Sequence, residues 1–556
     1  MTAGWVSPGN RDLVRTNSTW IVLLFAVAAS ITSITNGFAF DDVKIILENG
    51  SVHSLERFWR FFNETYWPEA HYLYRPLTML AFAAQWAIGN GSPLPFHIVN
   101  VALFLVSCVT FHRMMKRIVD EDVSLVAALL FAVHPVHTEV VANIVGQSEL
   151  VVAIVAFVSV ERYITARRSG RIQSRDILVF CGLYLTGCLF KENAIVLPAL
   201  IIAVELILNP ARDAWRGRVK AVAPLAVCAL CTAICFIAVR TYVANDFKSA
   251  GVNELFAGAP FAPRLYTMLG IMTEWARLFV WPAHLSADYS FPRTKTLISP
   301  DLMTFAGVLI IVTMTAIALR LRRSTPLVLF CVAWLAITLA IPSNIILVTG
   351  FVLAERSLFL ASAAVVAMLA FGMIAAWRSV RDRELISPRI AMAVLGLVLV
   401  TGVVRSSNRN GVWRDNETLF FQTVLDVPMS ARAHWMLAEH LSKSGRGMLA
   451  TVEMSRAVAL GRRDDGLMFG VAAEQFHKTG MCSQAVPLYE RAIALIPDND
   501  QLRSNAALCL IQLDRAEDAR RLVAAALEKR PKSAPLDKIV AMTDSISEAR
   551  RVATTP

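Results

Sequence analysis

The chain has 556 residues, 56% hydrophobic and 17% charged, with a mean hydropathy of +0.52. That is too apolar for a molecule with a polar surface on every side, which excludes a soluble globular enzyme and predicts an integral membrane protein. The formal charge of +11 comes from 54 Lys and Arg against 43 Asp and Glu. The cations lie in short clusters between apolar runs, which is the positive-inside pattern and not a nucleic-acid surface.

In chain order, the first apolar run is Trp20 to Ile34. It follows Arg11 and Arg15 and has no small-residue cleavage site before the acidic stretch, so it reads as a retained first helix. "FAFDDVKIIL" (38–47) then sets Asp41 and Asp42 where that helix should end. A carboxylate beside apolar surface has a raised pKa, which suits a general base that takes a proton from a hydroxyl. The same residues also suit a helix-end turn, or a cap for the segment from Val43. Their side chains diverge in any local structure, so at most one faces a given substrate; Asp42 is the first choice as base, with Asp41 left for positioning.

Residues 77–89, introduced by Pro76, are apolar but too short to cross, and are expected to lie on the outer surface, as are residues 265–281. "HPVHTE" (134–139) closes the third crossing, with Glu139 close to His134 and His137. Pro135 breaks the helix between the histidines and no third ligand stands at metal spacing, so imidazoles lining a cleft and donating to an anion, or plain interfacial capping, are expected rather than zinc. "FKEN" (190–193) and "AERSLFL" (354–360) each put a cation beside an acid at an outer membrane edge: Lys191 with Glu192, and Arg356 with Glu355. A local ion pair anchoring a helix end accounts for one of these. Both, with Arg75 in "YLYRPL", make a cationic set suited to phosphate, Arg through its planar fork and Lys as a point charge. Asp288 is a further outer acid. Cys228 and Cys231, in an apolar run, read as helix packing, and the sequence fixes no pairing for Cys482 and Cys509.

The basic clusters, among them Arg113 to Arg117 and Arg162 to Arg175, all fall in the cytoplasm if about eleven helices cross with the N-terminus inside and the C-terminus outside. The expected domains are a membrane domain over 1–405, a linker over 406–430 and a repeat domain over 431–556. In the last, Ala450, Ala485 and Ala519 recur, as do Ala457, Ala492 and Ala526, with Gly445 and Gly480 at turns and Pro497 and Pro531 closing units. A period of about 34 residues with small residues at helix contacts is the tetratricopeptide pattern, here about three repeats and a capping helix. The fold class is therefore all-α: a polytopic bundle of about eleven transmembrane helices followed by an α-solenoid.

The segments "FAFDDVKII", "YRPLTML", "PFHIVNVALF", "FAVHPVHTEVVANIVGQSEL", "LFKENAI", "WPAHLSADYS", "AERSLFLAS" and "WRDNETLF" carry a resemblance to the transmembrane and tetratricopeptide-repeat O-mannosyltransferases, a family of the GT-C class. The resemblance implies a GT-C bundle with the catalytic acid on the first outer loop, where Asp41 and Asp42 stand. It implies a polyprenyl-phosphate sugar, usually of mannose, as donor and a protein hydroxyl as acceptor, with inversion at the anomeric carbon. Few repeats, and Ser357 and Phe359 where tyrosines are expected, leave the sugar and the acceptor class open. Arg356, Lys191, Arg75, His134 and His137 are the expected phosphate ligands, with Glu139, Glu192, Glu355 and Asp288 in support. No cofactor is expected, a divalent ion being left open. The expected partners are the lipid-linked donor, an extracytoplasmic acceptor protein or peptide held through the repeats, and membrane lipids, without nucleic acid. Two other readings stand beside this one: a GT-C transferase acting on a lipid or cell-wall glycan, and a non-catalytic scaffold that presents its repeats to secreted partners.

Overall fold

In the computed structural model, the described residues are 8–67, 73–170, 172–209, 211–244, 256, 259–290, 297–383, 387–461, 465–528 and 533–554. Contacts divide the chain into two compact units, one of residues 1–287 and 296–419, the other of residues 288–295 and 420–556.

The first unit is helical throughout its regular structure. Its helices are α1 (Pro8–Ser30), α2 (Pro76–Gly89), α3 (Leu94–Ile118), α4 (Glu121–Val133), α5 (Thr138–Ala142), α6 (Gln147–Arg168), α7 (Ser174–Phe190), α8 (Leu197–Ala203), α9 (Trp215–Ala244), α10 (Phe261–Val280), α11 (Leu302–Leu321), α12 (Pro326–Thr338), α13 (Phe359–Asp382) and α14 (Pro388–Asn410). Seven spans among the described residues are long and apolar enough to cross a bilayer, eight when the bent pair α4–α5 is one span. Shorter helices, among them α2, α7, α12 and the helical run 197–208, lie between these spans, so by length and apolarity the described residues show seven or eight crossings where about eleven are predicted. The chain is an integral membrane protein.

Two sequence features shape the region that matters for function. Pro135 has no N–H to donate and pushes His134 out of the helical region, so α4 ends there and the chain turns by 51° before α5. After α5, Gly146 passes so close to Val140 that a Cβ would lie 2.2 Å from the Val140 carbonyl oxygen. Only glycine closes this turn. Asn100 on α3 holds it from the other side, donating to the carbonyls of Val141 and Asn143 at 3.0 Å each. Beneath it the core is aromatic, with the Phe111 and Phe131 rings 4.7 Å apart and Phe157 stacked on Trp334.

The second unit is an array of antiparallel helix pairs. After α15 (Asn416–Asp426), which begins in the first unit, come α16 (Ala431–Lys443), α17 (Gly447–Leu460), α18 (Gly466–Lys478), α19 (Cys482–Leu495), α20 (Asp500–Gln512), α21 (Ala516–Leu527) and a closing helix, α22 (Ala534–Thr554). The six alanines predicted to sit at helix contacts are all buried. Gly445 and Gly480 have φ of +77° and +76°, and at the third equivalent turn Asp514 adopts φ +63°, the left-handed conformation that glycine takes without strain. Cys482 and Cys509 form a disulfide between α19 and α20. Pro531 lies outside the described residues.

Candidate active site

The first loop leaves a 3₁₀ turn over residues 31–35 and is fastened to the end of α14 and the segment that follows it. Asn36 Nδ2 donates to the Asn410 carbonyl (2.9 Å), Gly37 N–H to the Arg414 carbonyl (2.7 Å) and Phe40 N–H to Asn416 Oδ1 (2.6 Å). Phe40 is held at φ +55°, a conformation costly for an aromatic residue, so these contacts fix the peptide that leads into Asp41.

The two aspartates then part. Asp42 is fully buried and accepts the backbone N–H groups of Val145 (2.9 Å), Ile144 (3.1 Å) and Ala39 (3.5 Å). Burial raises its pKa to about 8, against the lowering by those three donors. Its role is to buckle the first loop to the turn after α5. The preference for Asp42 as the acid facing substrate is thus corrected, because both its oxygens are occupied by backbone. Asp41 keeps 21% of its side-chain surface and lies with Oδ2 3.2 Å from Arg356 Nη1.

Arg356 is the second residue of the turn Glu355–Leu358 that precedes α13, and Glu139 on α5 holds it there. Glu139 accepts the Arg356 backbone N–H at 2.8 Å and its Nη1 at 3.0 Å. Asp41 and Glu139 share one guanidinium nitrogen, so among the described residues Nη2 and Nε remain as donors. Lys191, at the end of α7, pairs with Glu149 in the first turn of α6 at 2.6 Å. Glu192 instead takes Arg75, whose Nε lies 2.9 Å away, and accepts the Tyr74 N–H at 3.2 Å. Burial raises the Glu192 pKa, but the Arg75 guanidinium and the backbone donors, the Tyr74 N–H among them, together hold it below the usual carboxylate range. Arg75 also lies over the Tyr66 ring, 4.8 Å from its centroid, and burial raises the Tyr66 phenol. Lys191 is within electrostatic reach of both Arg75 and Arg356, so the three pairs form one cluster.

The structure therefore brings together Asp41, Glu139, Arg356, Lys191, Arg75 and Glu192. Lys191 and Glu192 do not form the local ion pair their adjacency suggests, because each points to a different helix. The expected place of His134 and His137 in the phosphate set needs correction. His134 Nε2 lies 2.9 Å from the Phe279 carbonyl while its Nδ1 accepts the Val136 N–H, and His137 Nε2 lies 2.8 Å from Ser362 Oγ. Both rings are buried and brace the α4–α5 break. Glu355 is buried too and accepts the Ser286 N–H at 2.7 Å. Asp288 belongs to the second unit, where it accepts from Ser290 and from Ser430, the N-cap of α16. Glu149, Tyr66 and Asn416 were not singled out in the sequence. An acid in the first turn of an otherwise apolar helix was the available signal for Glu149.

Among known proteins, a tetratricopeptide-repeat family model matches residues 478–542. The chain is similar to Protein O-mannosyl-transferase TMTC3 of Mus musculus, 25% identical over 73% of this chain and 47% of that one. It is also similar to Protein O-mannosyl-transferase TMTC3 of Homo sapiens, 24% identical over 89% of this chain and 58% of that one. It spans about half the length of these curated relatives. Among solved structures it is similar to the archaeal oligosaccharyltransferase AglB from Archaeoglobus fulgidus in complex with an inhibitory peptide and a dolichol-phosphate, with a TM-score of 0.43 and 14% identity over 72% of this chain and 56% of that one.

Proposed function

We propose that this protein is a membrane glycosyltransferase that moves a sugar, mannose in the first instance, from a polyprenyl-phosphate donor to hydroxyl groups of extracytoplasmic proteins. The observation that carries the reading is the Asp41–Arg356–Glu139 arrangement: a partly exposed carboxylate on the first loop, 3.2 Å from a guanidinium that, among the described residues, retains two donor nitrogens. Similarity to protein O-mannosyl-transferases over most of the chain supports it.

Asp41, rather than Asp42, is the base. It takes the proton of the acceptor hydroxyl as that oxygen bonds to the anomeric carbon. The bond from that carbon to the phosphate oxygen breaks on the opposite face, so configuration inverts and polyprenyl phosphate leaves with the electron pair. Nη2 and Nε of Arg356 meet the phosphate as a fork, while Lys191 and Arg75 add positive charge behind it. Asp42 keeps Asp41 in place through the 144–145 turn. The N-terminus is cytoplasmic and the repeats extracytoplasmic, where they receive the acceptor protein. No resident cofactor is assigned a step.

The test is sugar transfer by the purified full chain from a polyprenyl-phosphate mannose to a peptide. Asp41→Asn keeps shape but cannot take the proton, so its rate should fall by about 10²- to 10⁴-fold with donor binding retained. Arg356→Lys keeps the charge without the fork and should weaken donor binding. Parent-level transfer in Asp41→Asn would end the assignment of the base. A glycolipid product in place of a glycopeptide would move the acceptor to the lipid class, and loss of activity with a chelator would add a divalent ion.

A further inference from the structure

At the other end of α3 and α6 lies a second charged site that the proposed reaction does not use. Arg162 is thirteen residues beyond Glu149 on α6, which places it about 20 Å further along the helix axis. There the ends of α3 and α6 and the start of α7 enclose a cleft of about 430 Å³, lined by Arg113, Arg117, Arg162 and Arg175 with Glu161 and Asp176. Glu161 is engaged by two of these arginines, Arg113 at 3.2 Å and Arg117 at 3.6 Å. The nearest approach of Arg175 to Asp176 is 4.0 Å. Four guanidinium groups against two carboxylates leave the cleft with a surplus of two positive charges, and Val158 and Ala166 add an apolar wall.

We infer that this cleft binds the phosphate headgroup of an anionic membrane lipid. The size suits a headgroup. Its place at the ends of two membrane-crossing helices is the depth at which lipid phosphates lie. Arginine matches a phosphodiester by its planar fork, and basic recesses between helices on the positively charged side of a bilayer recognise anionic lipids through such contacts. A general excess of arginine in cytoplasmic loops orients a membrane protein but does not require four of them around one recess.

The experiment is native mass spectrometry of the purified full chain in detergent, titrated with phosphatidylglycerol or with phosphatidylcholine. The parent should retain phosphatidylglycerol in preference. The Arg162→Gln/Arg175→Gln variant should lose that affinity by about thirty-fold, at roughly the strength of two arginine–headgroup attractions. Arg320→Gln, at the end of α11 and outside the cleft, should behave as the parent. Size-exclusion chromatography checks that each variant is folded. Equal retention of the two lipids, or unchanged binding in the double variant, overturns the site. Displacement of phosphatidylglycerol by millimolar inorganic phosphate also overturns it, by assigning the cleft to a soluble anion.

Discussion

At the scale of single residues, the paired aspartates would, on the proposed reading, divide a chemical task from a structural one. Asp42 should be sensitive to amide substitution for a reason unrelated to proton transfer: in Asp42→Asn the NH₂ group meets one of the backbone donors that the carboxylate accepts from Val145 and Ile144. Such a clash of donors costs about 1–3 kcal/mol. It also removes a pH dependence. Asp42 titrates near 8 in the fold but near 3.9 in an unfolded chain, roughly the ordinary value. Between those limits the folded state holds more protons, so the contribution is full at low pH and is lost as pH rises through the folded value. The thermal midpoint of the parent in detergent should fall from pH 5 to pH 8 more steeply than that of Asp42→Asn. Parallel profiles would show that this carboxyl does not titrate in the fold. The sequence made the acidic pair visible as charge at a membrane edge. It could not say which member points inward, because that is decided by backbone donors more than a hundred residues away, on a turn that only Gly146 can close.

Among the elements, the ends of α2, α6 and α7 are cross-tied by ion pairs that neighbouring residues do not disclose. The Lys191–Glu149 pair is nearly enclosed, with side-chain exposures of 11% and 7%. Removing one partner strands the other charge, and Lys191→Met should destabilise the bundle by about 3–5 kcal/mol. Glu149→Gln with Lys191→Met leaves no unpaired ion and should recover much of that loss. Chemical-denaturation midpoints of the parent, both single variants and the double variant check this, and strictly additive losses would mean the two side chains do not interact. Helices were the most legible part of the molecule, since their lengths, the stop at Pro135 and the small residues of the repeats follow from local patterns. The broken α4–α5 helix was legible for the same reason. The use made of its histidines was not, because their partners, the Phe279 carbonyl and Ser362, lie far along the chain.

For the whole molecule, the proposed topology, with an odd number of crossings ahead of the repeats, would put the segment after Arg432 outside the cytoplasm. A reporter active only in the cytoplasm, fused after Arg432, should be silent, and strong signal would reverse the orientation. The charge balance of the candidate site reaches further. Asp41, Glu139, Glu149 and Glu192 outnumber Arg356, Lys191 and Arg75 by one, so at rest the cluster does not attract anions from a distance. On the proposed reading, a phosphate gains from these cations only at contact, through the Nη2 and Nε donors of Arg356. Capture of the proposed donor would then depend on its arriving by lateral diffusion, anchored by its hydrocarbon tail. Raising the ionic strength should leave the association rate of a polyprenyl-phosphate sugar unchanged or slightly faster, in contrast to the steep slowing of electrostatically steered ligands. Tail-less sugar phosphates should compete poorly at any salt concentration. The membrane would thereby act as the selectivity filter for the donor, admitting to the arginine only anions that reach it in two dimensions.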